Sequence, residues 1–227
     1  MNSNGWKGGL EGRPLLHDHP IALRVSLLLW LLGGVIFVAL WVPALESVAQ
    51  RFDDAVHSLA VDYEFDPVVQ VAKVLDFVGS IWVTFPIMIL VGVYLLRRRR
   101  LEGLVYWVSA MLVSQVLIGP LKALYARPRP PLPLVETSGY SFPSGHSVAG
   151  AAIAVALVIV LVPPGPQRRN LEMLAAAFAV VMGLSRVYLR AHWFSDAAAG
   201  VALGAAVAVA VAAIMHYAAA RSREAPT

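Results

Sequence analysis

The sequence predicts an all-α protein, a six-span transmembrane helical bundle with short loops, and three observations predict it. Of 227 residues, 59% are apolar and 14% charged, and the mean hydropathy is +0.69. An ordinary soluble domain is about 45–50% apolar and about 25% charged, so the excess apolar surface is expected to face lipid. Six apolar runs follow one another, at roughly 22–43, 79–96, 103–121, 146–163, 171–189 and 195–217. Crossing the hydrocarbon layer takes a helix of about 20 apolar residues. The third observation is that most basic residues gather in alternate breaks between these runs.

Residues 1–20 form a polar tail rich in Gly, Pro and His. His17 and His19 lie in it and read as surface residues rather than metal ligands. The first run is expected to be an uncleaved span: Ser47-Val48-Ala49 resembles a cleavage site, yet the run exceeds the 7–15 or so apolar residues of a signal peptide. The 44–66 connection is acidic, with Glu46, Asp53, Asp54, Asp62, Glu64 and Asp66. Two dispositions are open for it, over a site entrance or along the membrane surface. Residues 67–78 extend the second run, with Lys73 and Asp76 at headgroup level.

Arg97 to Arg100 fill the break before the third run, and the break before the fifth is "PPGPQRRN" with Arg168 and Arg169. The sixth run is rich in Ala and Val from 197 to 213, which suits a closely packed helix. Asp196, Gly200 and Gly204 recur every four residues along it, as His146, Gly150 and Ala154 do on the fourth. Such small-residue stripes let helices approach closely, so the fourth and sixth spans are expected to touch. Residues 219–227 form a second polar tail, leaving 21–218 as one membrane domain.

With six spans, Lys7, Arg13, Arg24, Arg97 to Arg100, Arg168, Arg169, Arg221 and Arg223 all fall on one side. Basic loops stay cytoplasmic, which predicts cytoplasmic termini in a plasma (inner) membrane protein. Lys122, Arg127, Arg129, Arg186 and Arg190 fall on the opposite side, against that rule. Something must hold them there. The net charge of +4 therefore reflects topology. A nucleic-acid partner is not expected, because that would need a basic stripe on a soluble face. Cysteine is absent, which excludes disulfides, thiolate metal sites and cysteine nucleophiles.

Three polar clusters share that second side: "KALYARPRP" (122–130), "PSGH" (143–146) and "SRVYLRAHWFSD" (185–196). Lys122, Arg129 and Arg186 offer three cations suited to a tetrahedral phosphate, and arginine can grip two of its oxygens at once. Ser144 can cap a helix, and Gly145 lets an anion approach the N–H groups at the helix start. His192 and Asp196 share a helix face, so the carboxylate can hold Nδ1–H and leave Nε2 free as a nucleophile. His146 is a second imidazole, able to protonate a leaving oxygen. Each feature has a plain structural explanation when taken alone. Arginines at span ends snorkel, and an i,i+4 His–Asp pair is often only a brace. Together at one membrane edge they read as a site for attack at phosphorus.

These clusters resemble the type 2 phosphatidic acid phosphatase superfamily, whose pattern is K-x6-R-P, P-S-G-H and S-R-x5-H-x3-D. It is met by Lys122, Arg129 and Pro130, by Pro143, Ser144, Gly145 and His146, and by Ser185, Arg186, His192 and Asp196. The motifs span about a third of the chain, and the span layout extends the likeness over most of it. The resemblance implies that His192 attacks phosphorus and forms a phosphohistidine, that Asp196 orients it, and that His146 protonates the leaving group and then activates water. It implies that Lys122, Arg129, Arg186, Ser144 and Gly145 hold the phosphoryl oxygens, with no metal or other cofactor. The substrates it implies are membrane lipid phosphates or diphosphates, among them undecaprenyl diphosphate, phosphatidate and phosphatidylglycerol phosphate. The motifs do not choose between these, and the oligomeric state is unmarked. A transporter or scramblase could use the same cationic pocket for an anionic lipid without hydrolysis, but it would have no use for two histidines and Asp196.

Overall fold

The computed structural model describes residues 19–224. Residues 1–18 and 225–227, which make up most of the first expected tail and the end of the second, lie outside the described residues. Within them the chain forms eight helices and no strand: α1 (His19–Trp41), α2 (Pro43–Asp62), α3 (Asp66–Gly79), α4 (Ile81–Arg97), α5 (Leu101–Tyr125), α6 (Gly145–Leu161), α7 (Pro166–Tyr188) and α8 (Phe194–Glu224). Proline stands in the first turn of α2, α3 and α7. There its fixed φ favours the helix and its missing N–H costs nothing. The last helix runs through 219–224, where a tail was expected.

Four helices, α1, α5, α7 and α8, are long and apolar enough to cross a membrane. The second run divides differently from the expectation. α3 and α4 meet at Ser80 with a bend of 46°, and together they are long and apolar enough for a fifth span. α6 has 17 residues, about 25 Å at the usual helical rise. It is enclosed, with Ala151, Ala152, Ala156 and Val160 fully buried between its neighbours. The outer faces carry exposed Leu27, Leu28 and Leu31 on α1, Leu112 and Val116 on α5, and Leu174 and Val180 on α7. Such faces are at home only in lipid. Two polar groups that enter between the helices find backbone partners. Tyr106 Oη donates to the Ala208 carbonyl at 3.1 Å, and Arg100 reaches the Val160 carbonyl at the end of α6 at 2.6 Å.

α6 and α8 pack along their length, as the small-residue stripes predict. A methyl group added at Gly204 would lie 2.2 Å from the Val148 carbonyl oxygen, and one at Gly200 would lie 2.8 Å from the Ser144 carbonyl oxygen. Both distances are inside van der Waals contact, so the interhelical spacing depends on these two glycines. Gly204→Ala is expected to force the helices apart at a cost of about 1–3 kcal/mol. Thermal unfolding in detergent checks this: a lowered midpoint is expected, and an unchanged one contradicts the packing.

Candidate active site

The three polar clusters meet at one end of the bundle, and backbone bonds lock them together. The Ser144 N–H donates to the Asp196 carbonyl at 3.1 Å, and the Ser141 N–H, just ahead of the second cluster, donates to the Arg127 carbonyl of the first at 2.8 Å. Ser144 caps α6, its Oγ accepting from the Ser147 N–H at 3.4 Å and the Ser147 hydroxyl at 2.9 Å. Open space faces the Cα of Gly145, with no atom within 4 Å of where a Cβ would sit. The N-terminal turn of α6 is therefore accessible to an anion.

His192 stands in the turn before α8, almost wholly buried. Its Nε2 lies 3.2 Å from Arg129 Nη1. A guanidinium only donates, so Nε2 must accept, and the ring proton sits on Nδ1. That nitrogen faces Ser141 Oγ at 3.4 Å and Asp196 Oδ2 at 3.6 Å. The carboxylate is thus in electrostatic reach, just beyond hydrogen-bond length. Burial pushes the imidazole down to about 4, against the pull of Asp196, with Arg129 and Arg186 adding to the depression. His192 is therefore neutral at physiological pH, with an unprotonated Nε2.

Asp196 is fully buried at the start of α8. It accepts from the Ser141 hydroxyl, from Arg127 Nη1 at 2.6 Å and from the Trp193 N–H at 2.9 Å. Arg127 also reaches α2, donating to Asp53 Oδ2 and to Gln50 Oε1, each at 2.7 Å. Asp53 in turn accepts from the Ser195 N–H at 2.9 Å. The acidic 44–66 segment thus docks one buried carboxylate into the site's supporting network. Trp193 is buried and donates to the Pro128 carbonyl at 2.9 Å. His57 finds a partner in the Pro131 carbonyl at 3.0 Å.

The cations that break the charge rule are each held. Arg190 pairs with Glu64 at 2.6 Å, and Lys122 donates to the Tyr140 carbonyl. Arg129 donates to the carbonyls of Ser138, Gly139 and Ala191 at 2.7, 3.0 and 2.7 Å. Arg186 pairs with Asp76 of α3, while its Nε is buried and makes no hydrogen bond. His146, in the first turn of α6, places Nε2 3.2 Å from both the carboxylate and the backbone carbonyl of Asp76. Both imidazoles lie in the field of the same two guanidiniums, Arg129 and Arg186. All eight residues singled out from the sequence lie at this end, with Lys122 at its exposed edge. Sequence reasoning passed over the supports Asp76, Arg127, Asp53 and Ser141. Arg127 had a signal, being one of the basic residues that needed holding; Ser141 had none. Among the described residues no three His, Asp or Glu side chains cluster in a way that could hold a metal ion.

Comparison with known proteins agrees with this geometry. Residues 103–220 match the family model of the PAP2 superfamily. The chain is 28% identical over 163 residues to phosphatidylglycerophosphatase B of Bacillus subtilis (strain 168), covering 70% of this chain and 80% of that protein. It is 34% identical over 149 residues to the decaprenylphosphoryl-5-phosphoribose phosphatase of Mycobacterium tuberculosis (strain ATCC 25618 / H37Rv), covering 60% and 74%. The crystal structure of a transmembrane PAP2 type phosphatidylglycerolphosphate phosphatase from Bacillus subtilis superposes with a TM-score of 0.70 at 28% identity, over 82% of this chain and 93% of that one. Aquifex aeolicus LpxE shares the fold, with a TM-score of 0.54 at 22% identity over 70% and 91%. The chain is a multi-pass membrane protein and a phosphoric monoester hydrolase.

Arg127 is the shared counter-charge of two buried carboxylates, Asp53 and Asp196. Breaking a buried pair from one side costs about 3–5 kcal/mol. Arg127→Met is therefore expected to lower the unfolding midpoint in detergent and to lose most phosphatase turnover, although Arg127 belongs to none of the three motifs. Wild-type stability together with wild-type turnover contradicts this.

Proposed function

The chain belongs to the PAP2 superfamily, and on that footing we propose that it hydrolyses a membrane lipid phosphate or diphosphate through a phosphohistidine formed on His192. One observation carries this reading: the donor-only guanidinium of Arg129 faces Nε2 of a buried His192 whose other nitrogen is turned to Asp196 and Ser141. Such a ring is a nucleophile held in the reactive tautomer. Arg129 also marks where negative charge is wanted. A phosphoryl group approaching Nε2 meets Arg129 beside it, Arg186 with a spare buried Nε, and Lys122 at the rim.

The Gly145 N–H at the start of α6 and the Ser144 hydroxyl complete the cradle. As Nε2 attacks, charge on the phosphoryl oxygens is met by these fixed donors. His146 gives its proton to the leaving oxygen; the same nitrogen then takes a proton from water as that water attacks the phosphohistidine. The scheme uses only side chains of this chain and calls for no metal.

Six spans serve this reading, with the bent α3–α4 pair as the second and α6 as the fourth. The arginine-rich end then faces the cytoplasm along with both termini. The site lies on the periplasmic or extracellular side of the plasma membrane. The relatives named for phosphatidylglycerophosphate and for a decaprenylphosphoryl sugar phosphate support a lipid substrate. Phosphatidylglycerol phosphate, phosphatidate and undecaprenyl diphosphate are the substrates to compare.

The test is phosphate release by the detergent-solubilised protein from each of these three lipids in excess EDTA. Turnover of at least one is expected. His192→Ala should lower it by about a thousandfold or more, the scale on which removing a triad member acts. A rate that vanishes in EDTA and returns with a divalent metal, or a His192→Ala variant near the wild-type rate, contradicts the mechanism. Asp196→Asn keeps the shape but no longer holds the tautomer. Its kcat should drop by orders of magnitude, about 10⁴-fold where the same change has been made in a hydrolytic triad. A drop of less than tenfold argues against the orienting role.

A further inference from the structure

We propose that Asp76 is a second orienting carboxylate, holding His146 as the acid of the reaction just as Asp196 holds His192. This rests on the phosphatase reading above and adds a positioning residue that lies outside the three motifs.

The bend between α3 and α4 carries Asp76 to the site. α3 ends at Gly79 and the chain turns by 46° at Ser80. The turn brings the last helical residues of α3 over the start of α6. A methyl group at Gly79 would lie 2.7 Å from His146 Cδ2, so the α3 backbone presses directly against the imidazole edge. One turn earlier, Asp76 presents two acceptors to one nitrogen. Its Oδ1 and its backbone oxygen are each 3.2 Å from His146 Nε2. Two acceptors require a donor between them, so the proton of His146 sits on Nε2. Nδ1 then has no hydrogen-bond partner among the described residues and is the nitrogen left to act on substrate.

The two histidines are therefore held in opposite senses. At His192 the carboxylate faces Nδ1 and Nε2 is the working atom. At His146 the carboxylate holds Nε2 and Nδ1 is the working atom. The charges around His146 explain why a carboxylate is needed there. Arg186 of α7 and Arg129 of the loop after α5 set positive charge beside it, and Asp76 of α3 sets a negative charge there. Met182 of α7, the other close neighbour of Gly79, is apolar. Asp76 balances part of that positive charge and an entering phosphate anion balances more, so His146 takes its second proton, on Nδ1, once substrate is bound. Asp76 also fixes Arg186 through Nη1, which leaves the unbonded Nε of that guanidinium for a phosphoryl oxygen.

The proton balance is complete. As His192 Nε2 bonds to phosphorus and the ester P–O bond breaks, the proton on His146 Nδ1 moves to the leaving oxygen. His146 is left neutral, still donating Nε2–H to Asp76. Its Nδ1 lone pair then takes a proton from the attacking water, the N–P bond of His192 breaks, and both rings return to their starting states.

The experiment compares two leaving groups. Dioctanoyl phosphatidate releases an alkoxide that must be protonated as it leaves. 4-Nitrophenyl phosphate releases a phenolate that leaves without help. Single-turnover phosphoryl transfer is measured for wild type and for Asp76→Asn in detergent. The ratio of alkyl to aryl rates should fall by about 10- to 100-fold, a share of the roughly 10²–10⁴ that a positioned acid contributes. Asp76→Ser, neutral and smaller than the native side chain, serves as a second variant and should show the same selective loss. Asp76→Glu keeps the charge and should recover part of the ratio. Equal slowing of both substrates in the neutral variants, which is what a misplaced Arg186 would cause, overturns the proposal, as does no change in the ratio. Absence of phosphoryl transfer from either substrate in the wild type overturns the phosphatase reading itself. A competent wild type with unselective Asp76 variants overturns this inference alone.

Discussion

A carboxylate with no solvent contact has to be neutralised by its surroundings, and the site end of this bundle is arranged around doing so for Asp196. Four groups converge on it from three parts of the chain: the Arg127 guanidinium, the Ser141 hydroxyl, and the His192 ring with the neighbouring Trp193 N–H. Arg127 carries the constraint outwards, because its second amino group engages Asp53 on α2. The amphipathic helix after α1 is thus tied to the reaction centre by a buried ion pair. Removing Arg127 leaves both carboxylates unbalanced, and the ring of His192 is held within the same network.

The second determinant is helix spacing. α6 and α8 approach until backbone meets backbone at Gly200 and Gly204. Such contact fixes the start of α6 against the start of α8, and the Ser144 N–H bonds the Asp196 carbonyl at that junction. The anion-facing turn of one helix and the orienting carboxylate of the other are therefore set by main chain rather than by adjustable side chains. The bend at Ser80 performs the same service from the opposite side, bringing Asp76 to His146 and Arg186.

Much of this is written locally in the sequence. Apolar runs, arginine-rich breaks and small-residue stripes mark the helices and the α6–α8 contact, because those features act within one helix or one pair. The eight candidate residues were legible as a group because their types and spacings suit one chemistry, and the structure gathers them at one end of the bundle. What was not legible depends on tertiary geometry. A run of apolar residues does not show that α3 and α4 meet at an angle, so Asp76 read as a headgroup-level acid. Asp53 is one acid among six in its segment, and only the fold separates it from Asp54, its exposed neighbour. Ser141 carries no signal at all until the loop folds back over Asp196.

The account turns on Nε2 of His192 being the atom that takes the phosphoryl group. Mixing the detergent-solubilised protein with radiolabelled phosphatidate, quenching in alkali to preserve an acid-labile phosphoramidate, and mapping the labelled peptide tests that directly. The predicted result is transient label on His192 during turnover. Label on His146, or steady turnover with no labelled residue at any time, would contradict the account.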